Sequence, residues 1–264
     1  RLCPLATGSD GGGSLRIPAN FCGVYAIKPT LGRVSAYTGI EAEPMPKIFS
    51  QNGPLTRTVG DSALLLQVLA GHDPRDPTTL REAPPDFVAA VDKSIDGLRI
   101  AWSADLGFAD VDPEVLDVTS SAARAFEELG CRVEEPDLEL DEPYDSFGPI
   151  QSADFFNSST AFRETHFDDL TDVAQYYLER GARVTTADYV QALGRIDVLK
   201  ATMSDLFEEY DLLLTPVARF PAFPNGKFPG EISGGSSYPE QYWNGAFTLP
   251  VNVIGHPAAS VPAG

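Results

Sequence analysis

The sequence predicts an α/β fold in which a mixed, largely parallel β-sheet is flanked by helices. Short apolar runs alternate along the chain with segments whose apolar residues recur at helical spacing, and this alternation is typical of α/β architecture. Residues 98–134 show a compact strand–helix–strand pattern, for which a right-handed crossover between parallel strands is the rule. The sequence shows no internal repeat, and its length of 264 residues is compatible with one large domain or two small ones.

Two strands and one helix are predicted near the start of the chain. Residues 2–7 and 21–28 are short apolar runs that predict strands. Residues 32–53 have little periodicity and are interpreted as a loop. Thr58 followed by Asp61 predicts a capping box, because an acidic residue three positions after a threonine completes that motif at a helix start.

Residues 86–150 are interpreted as the segment that contains the β-α-β unit. Its strands are predicted at residues 98–103 and 131–134. Asp112 followed by Pro113 predicts the start of the intervening helix, because proline is well tolerated at the first helical position.

Residues 151–210 are interpreted as mainly helical, with a second capping box predicted at Thr185 and Asp188. Residues 220–238 are rich in Pro, Gly and Ser and are interpreted as a long irregular loop. Three further strands are predicted in the last part of the chain, at residues 211–217, 246–253 and 259–261.

Composition excludes several classes of function. The formal net charge of −19 argues against direct binding to nucleic acid or to an anionic membrane, both of which need a basic surface. No run of 18 apolar residues predicts a membrane-spanning helix. The spacing of the three cysteines fits no zinc or redox motif, and we expect a reducing, cytoplasmic location.

The chemistry of the sequence is concentrated in residues 9–18, Ser-Asp-Gly-Gly-Gly-Ser-Leu-Arg-Ile-Pro. Three consecutive glycines favour a backbone that adopts positive φ or approaches another group closely. A serine directly after them, Ser14, is a candidate nucleophile. The glycine amides are candidate donors for an oxyanion. Asp10 and Arg16 carry opposite charges on either side of the turn, and we expect them to orient it, with Ser9 as a local hydrogen-bonding residue.

Three alternatives stay open for this loop. Ser14 is also compatible with a plain cap at the start of a helix. A Ser-His-Asp triad is compatible with the sequence because triads are recognised by geometry rather than by order. Gly-rich loops at helix starts also bind phosphate, but no Gly-Lys-Ser/Thr and no Gly-x-Gly-x-x-Gly motif is present, and Asp10 would repel the anion.

The loop resembles the nucleophile loop of the amidase signature family, whose pattern is Gly-Thr/Ser-Asp-x-Gly-Gly-Ser-Ile/Leu-Arg-x-Pro. Gly11 stands at the variable position, where many members carry threonine. The similarity continues in the family's order through six further segments, at residues 21–23, 28–34, 53–61, 213–216, 247–252 and 255–262.

The resemblance implies an amidase that uses a Ser-Ser-Lys triad without a metal or an organic cofactor. Ser14 matches the nucleophile, and Gly11, Gly12 and Gly13 match the oxyanion hole. The family's catalytic lysine and bridging serine precede this loop, and its Ser-Val-Pro-Ala-Gly-Phe motif continues past residue 264. We therefore expect residues 1–264 to be a partial amidase signature domain that is inactive alone. Lys28 matches the family's Lys-Pro-Thr segment and is interpreted as structural, paired with an acidic neighbour.

The expected substrate is a small-molecule amide. Tyr242 and Trp243 are predicted to form part of the wall of the pocket that binds it. A glutamine-amide-hydrolysing component of a tRNA-dependent amidotransferase is the nearest alternative activity. A catalytically incomplete binding homologue is the alternative outside enzymes. A homodimer is compatible with either activity.

Overall fold

Two β-sheets organise the protein. The computed structural model describes residues 3–37, 48–227 and 245–264. In this part of the chain the first sheet has four strands in the order β1-β3-β2-β7, and the second has three in the order β5-β4-β6. The strands are β1 (Leu5–Asp10), β2 (Tyr25–Lys28), β3 (Gln51–Thr56), β4 (Arg99–Trp102), β5 (Arg132–Glu134), β6 (Leu212–Leu214) and β7 (Ala258–Ser260).

Helices cover much of the remaining described chain. They are α1 (Arg16–Cys22), α2 (Val59–Leu69), α3 (Phe87–Ala90), α4 (Pro113–Glu128), α5 (Tyr144–Ser158), α6 (Thr160–Arg163), α7 (Asp172–Gly181), α8 (Thr186–Glu209) and α9 (Leu249–Val253), with a short 3-10 turn at Phe167–Asp169. None of the described helices is both long enough and apolar enough to cross a membrane.

The predicted α/β class is confirmed, and the two sheets differ in strand direction. All pairings of the first sheet are antiparallel, while β4 pairs in parallel with β5 and β6. The sheet is therefore largely parallel only in the β-α-β region. In the first sheet β3 inserts between β1 and β2 and runs antiparallel to both. Local sequence patterns do not predict this order, because β3 follows both β1 and β2 in the chain but lies between them in the sheet.

The predicted helix starts are present. Thr58 accepts a hydrogen bond from the Asp61 amide at the start of α2, but the reciprocal bond that would complete the predicted capping box is not found among the described residues. The Asp112 side chain caps α4. The capping box of Thr185 and Asp188 is complete, with both reciprocal hydrogen bonds formed. These starts were predictable because a capping motif involves only residues within one helical turn.

The prediction of a strand at residues 246–253 is wrong, because this segment contains the short helix α9. Pro250 lies in its first turn, where a proline costs no hydrogen bond. Leu249 and Val253, one turn apart, pack into an apolar cluster with Phe49 and with residues of α5 and α8. The four-residue spacing of these buried side chains, which places both on one face of a helix, favours this conformation.

Three other boundaries differ from prediction. β1 ends three residues beyond the strand predicted at residues 2–7, so it includes the first part of the predicted glycine loop. Residues 21 and 22 end α1, so β2 begins only at Tyr25. The loop predicted at residues 32–53 ends in β3, which begins at Gln51. Gly53 lets β3 and β2 approach closely, since a Cβ there would lie 2.2 Å from the Ile27 carbonyl oxygen. The glycine that suggested a loop is thus a requirement of close strand packing.

Candidate active site

The turn between β1 and α1 presents Ser14 to solvent. Ser14 is exposed, whereas the next residue, Leu15, is completely buried against Ala19 and Ala26. The Ile17 amide donates to the Gly13 carbonyl oxygen at 2.8 Å, which begins the helical turn. A buried leucine therefore anchors the turn and leaves the serine hydroxyl outside.

The Asp10 carboxylate is the centre of the loop's hydrogen bonds and is fully buried. It accepts from the amides of Gly13, at 2.6 Å, and Leu15, at 3.3 Å. Arg16 donates to both of its oxygens, from Nε at 2.9 Å and from Nη2 at 3.0 Å. Burial raises the pKa of Asp10, but Arg16, Asn252 and the Gly13 amide outweigh it and hold the pKa below its usual value. Asp10 is thus a buried anion that orients the loop.

Helix α9 holds the other side of this ion pair. Asn252 donates from Nδ2 to Oδ1 of Asp10 at 2.9 Å and accepts a hydrogen bond from Arg16. The Thr248 hydroxyl donates to the Gly12 carbonyl oxygen at 2.7 Å, and Arg16 donates to the Thr248 carbonyl oxygen at 3.1 Å. Sequence reasoning missed Thr248 and Asn252. The available signal was a polar residue at position 252 inside the apolar run Leu-Pro-Val-Asn-Val.

The loop amides divide into two groups. The Gly13 amide is used by Asp10, so in this structure it is not available to a ligand. Among the described residues, nothing accepts a hydrogen bond from the amides of Gly11, Gly12 or Ser14. This differs from the expectation that all three glycines offer donors, because the Asp10 carboxylate reaches back into the turn.

Gly13 has a conformational role. Its φ is +129°, a conformation that residues with a side chain rarely adopt. A Cβ there would lie 2.5 Å from both Ile17 Cδ1 and Thr248 Oγ1. The turn therefore requires a residue without a side chain at this position.

Replacing Gly13 by alanine is expected to destabilise the fold. The backbone conformation alone accounts for about 1–3 kcal/mol, and the contact with Thr248 adds to it. Denaturant unfolding measures this loss. Gly194→Ala is the matched control, because Gly194 lies inside α8 with open space around it and is expected to be neutral or stabilising. Equal stability of Gly13→Ala and the unchanged chain would contradict the role assigned to the turn.

Lys28 lies at the end of β2 and is completely buried. Its ammonium donates to the Pro29 carbonyl oxygen at 3.3 Å and to that of His256. Its hydrogen-bond partners are thus backbone carbonyls rather than the acidic neighbour that was expected. Burial and the nearby Arg16 charge lower the pKa of Lys28 to about 7, and the charge of Asp10 opposes this shift.

No base is in place for Ser14 within the described residues, since no side chain there hydrogen-bonds to its hydroxyl. His72 contacts the Thr79 hydroxyl at 3.0 Å, and His166 contacts Thr165 at 2.7 Å. Burial and the charge of Lys28 lower the pKa of His256. The described geometry therefore offers no support for a Ser-His-Asp triad.

The remaining candidates are placed as follows. Ser9 is exposed on β1. Tyr242 and Trp243 lie outside the described residues, as does part of the loop predicted at residues 220–238, so the predicted role of the two aromatic residues in a pocket wall stays a prediction. In the described ranges, no group of three or more His, Cys, Asp or Glu side chains is arranged to hold a metal ion.

Comparisons with known proteins identify the family of the chain. The model of the Amidase family matches residues 1–264. The chain is 36% identical to an acylamidase of Rhodococcus erythropolis over 269 residues, covering all of this chain and 55% of that protein. It is 34% identical to a glutamyl-tRNA(Gln) amidotransferase subunit from Chromohalobacter salexigens, covering all of this chain and 57% of that protein.

A solved structure shows the same fold. A bacterial aryl acylamidase of the amidase signature family superposes with a TM-score of 0.87 at 31% identity, covering 99% of this chain and 56% of that one. The chain thus spans about half the length of the relatives it matches. Because the family model matches every residue and the fold agrees, the chain belongs to the amidase signature family.

Proposed function

We propose that the protein hydrolyses small-molecule carboxylic amides through an acyl-enzyme on Ser14. The observation that carries this proposal is the exposed Ser14 hydroxyl beside backbone amides that have no acceptor among the described residues. An exposed hydroxyl next to fixed amide donors supplies two of the parts that acyl transfer requires, the nucleophile and the oxyanion donors. The buried ion pair of Asp10 and Arg16 gives this loop a rigid base.

In the proposed reaction, Ser14 Oγ bonds to the carbonyl carbon and loses its proton to a base. The negative charge that develops on the carbonyl oxygen is bound by the amides of Gly11, Gly12 and Ser14, while Gly13 shapes the turn. The C–N bond then breaks as the leaving nitrogen takes up that proton. Water hydrolyses the acyl-enzyme and releases the acid.

The family resemblance implies that the base is a lysine that acts through a bridging serine, both preceding residue 1. A hydroxyl has a negligible anionic population at neutral pH, so Ser14 needs such a partner to react. Residues 1–264 alone are accordingly proposed to be inactive.

Acylamidase activity is the first choice of reaction class. The Rhodococcus relative and the aryl acylamidase structure support it, while the amidotransferase relative supports hydrolysis of the glutamine side-chain amide at only slightly lower identity. The acidic surface favours a free small-molecule amide over direct contact with tRNA, although a partner protein can supply that contact. The two activities are distinguished by comparing the rate of aryl amine release from an anilide with the rate of ammonia release from glutamine.

Covalent labelling tests the nucleophile. A fluorophosphonate probe is applied to residues 1–264 and to a chain extended at its N-terminus by the upstream segment of a family member, and the modified peptide is identified by mass spectrometry. We expect Ser14 to be labelled only in the extended chain. Labelling in both would place a base within residues 1–264, and labelling in neither would favour a non-catalytic binding homologue.

A further inference from the structure

Lys28 has no part in the reaction proposed above, yet it is among the largest side chains that are completely buried. An ammonium removed from water costs folding free energy, which carbonyl hydrogen bonds offset only in part. A side chain with this cost contrasts with the apolar Ala26, which lies two residues earlier on the same face of β2. The burial of Lys28 therefore suggests that its ammonium has a role in addition to packing.

The Lys28 ammonium connects the end of β2 to the segment that joins α9 to β7. It donates to the carbonyl oxygen of His256, which lies in that segment. Two backbone hydrogen bonds continue the connection: the Leu31 amide donates to the Gly255 carbonyl oxygen at 2.9 Å, and the Gly255 amide donates to that of Asn252 at 3.1 Å. Each of the three bonds restrains the position of the C-terminal end of α9.

Helix α9 in turn determines where the nucleophile loop lies. Asn252 donates to the Asp10 carboxylate at 2.9 Å, and Thr248 donates to the Gly12 carbonyl oxygen at 2.7 Å. A shift of α9 would therefore move the peptide units that precede Ser14. Reaction rates are sensitive to such shifts, because a misplacement of about 1 Å can cost about 10²-fold.

We propose that Lys28 is a positioning residue for Ser14, which acts through the 255–256 segment and α9 on the nucleophile loop. This inference rests on the proposed role of Ser14. Two charged groups of the loop shift the pKa of Lys28: Arg16 lowers it and Asp10 raises it. Lys28 in turn lowers the pKa of His256. Lys28 does not contact the Ser14 hydroxyl, so it is assigned no proton-transfer step.

A double-mutant cycle in the natural full-length protein tests this connection. Lys28→Met keeps the length of the side chain and removes its donors, and Asn252→Ala removes the link from α9 to Asp10. We expect Lys28→Met alone to lower kcat by about 10²-fold with KM nearly unchanged. In the Asn252→Ala background the same change is expected to lower kcat by less than about threefold, because the path is already broken.

Lys93→Met is the matched control, since Lys93 is exposed and far from the loop in sequence, and its kcat is expected to stay unchanged. If Lys28→Met does not fold, Lys28→Gln, which keeps one amide donor, is used in the same cycle with the same expectation of coupling. Full kcat in a folded Lys28 variant, or losses that simply add to those of Asn252→Ala, would overturn the proposal. Activity retained in Ser14→Ala would instead refute the proposed function.

Discussion

Ser14→Ala is expected to abolish amide hydrolysis in the full-length protein, lowering kcat by about 10⁶-fold while KM stays within a few-fold. The hydroxyl supplies the only bond that the proposed enzyme forms to the acyl group, so removing it eliminates the covalent route. Ser14 is exposed and its side chain makes no hydrogen bond within the described structure, so its loss should leave folding unaffected. Steady-state kinetics with an anilide substrate, together with thermal unfolding, measure both effects.

Ser204→Ala is the control for this substitution, because Ser204 is an exposed serine on α8. Its kcat and unfolding temperature should match those of the unchanged protein. A Ser14→Ala protein that is folded and retains more than about one hundredth of the activity would contradict a serine acyl-enzyme, since the proposed acyl transfer depends on this nucleophile.

Arg16→Met is expected to lower the free energy of unfolding by about 3–5 kcal/mol. Arg16 is almost completely buried and donates to both oxygens of Asp10. Without it, the carboxylate stays buried with its charge uncompensated, and two further acceptors, on Thr248 and Asn252, lose their donor. Because the same bonds hold the turn, labelling of Ser14 should slow as well. Denaturant unfolding measures the stability.

Two comparisons test the ion pair as the cause. Asp10→Asn combined with Arg16→Met removes both charges, and we expect it to be more stable than Arg16→Met alone, because no ion is left unpaired. Arg183→Met removes an arginine whose side chain is 76% exposed and which lies 3.7 Å from Glu179, so its stability should hardly change. Equal losses of unfolding free energy in Arg16→Met and Arg183→Met would show that burial of the Asp10–Arg16 pair does not contribute to the effect.

The loop that carries Ser14, the proposed nucleophile, was accessible to prediction because its distinctive residues are close together in the sequence. Three glycines, a serine and two flanking charges lie within seven positions of one another, and the structure brings Asp10 and Arg16 together as an ion pair. Helix starts were accessible for the same reason, since the capping box of Thr185 and Asp188 lies within one turn. Interactions of this range are encoded locally and do not depend on the rest of the fold.

The other half of the site was not accessible. Asn252 lies 242 positions from Asp10, and the tertiary packing of α9, including its contacts with Phe49, α5 and α8, brings the two together. The same packing favours a helix at Leu249–Val253, within the segment predicted as a strand. The sequence also could not show which loop amides are free to bind a ligand. The Gly13 amide donates to the Asp10 carboxylate, and the orientation of that carboxylate depends on the fold.

Short motifs and the order of apolar segments were enough to predict the family, the α/β class and the loop that carries Ser14. Three features became visible only in the folded protein: β3 lies between β1 and β2, Lys28 donates to backbone carbonyls, and Asn252 of α9 binds the ion pair. The physical reason is the same in each case. Buried polar groups must find partners, and the choice of partner depends on which distant segments are packed beside them.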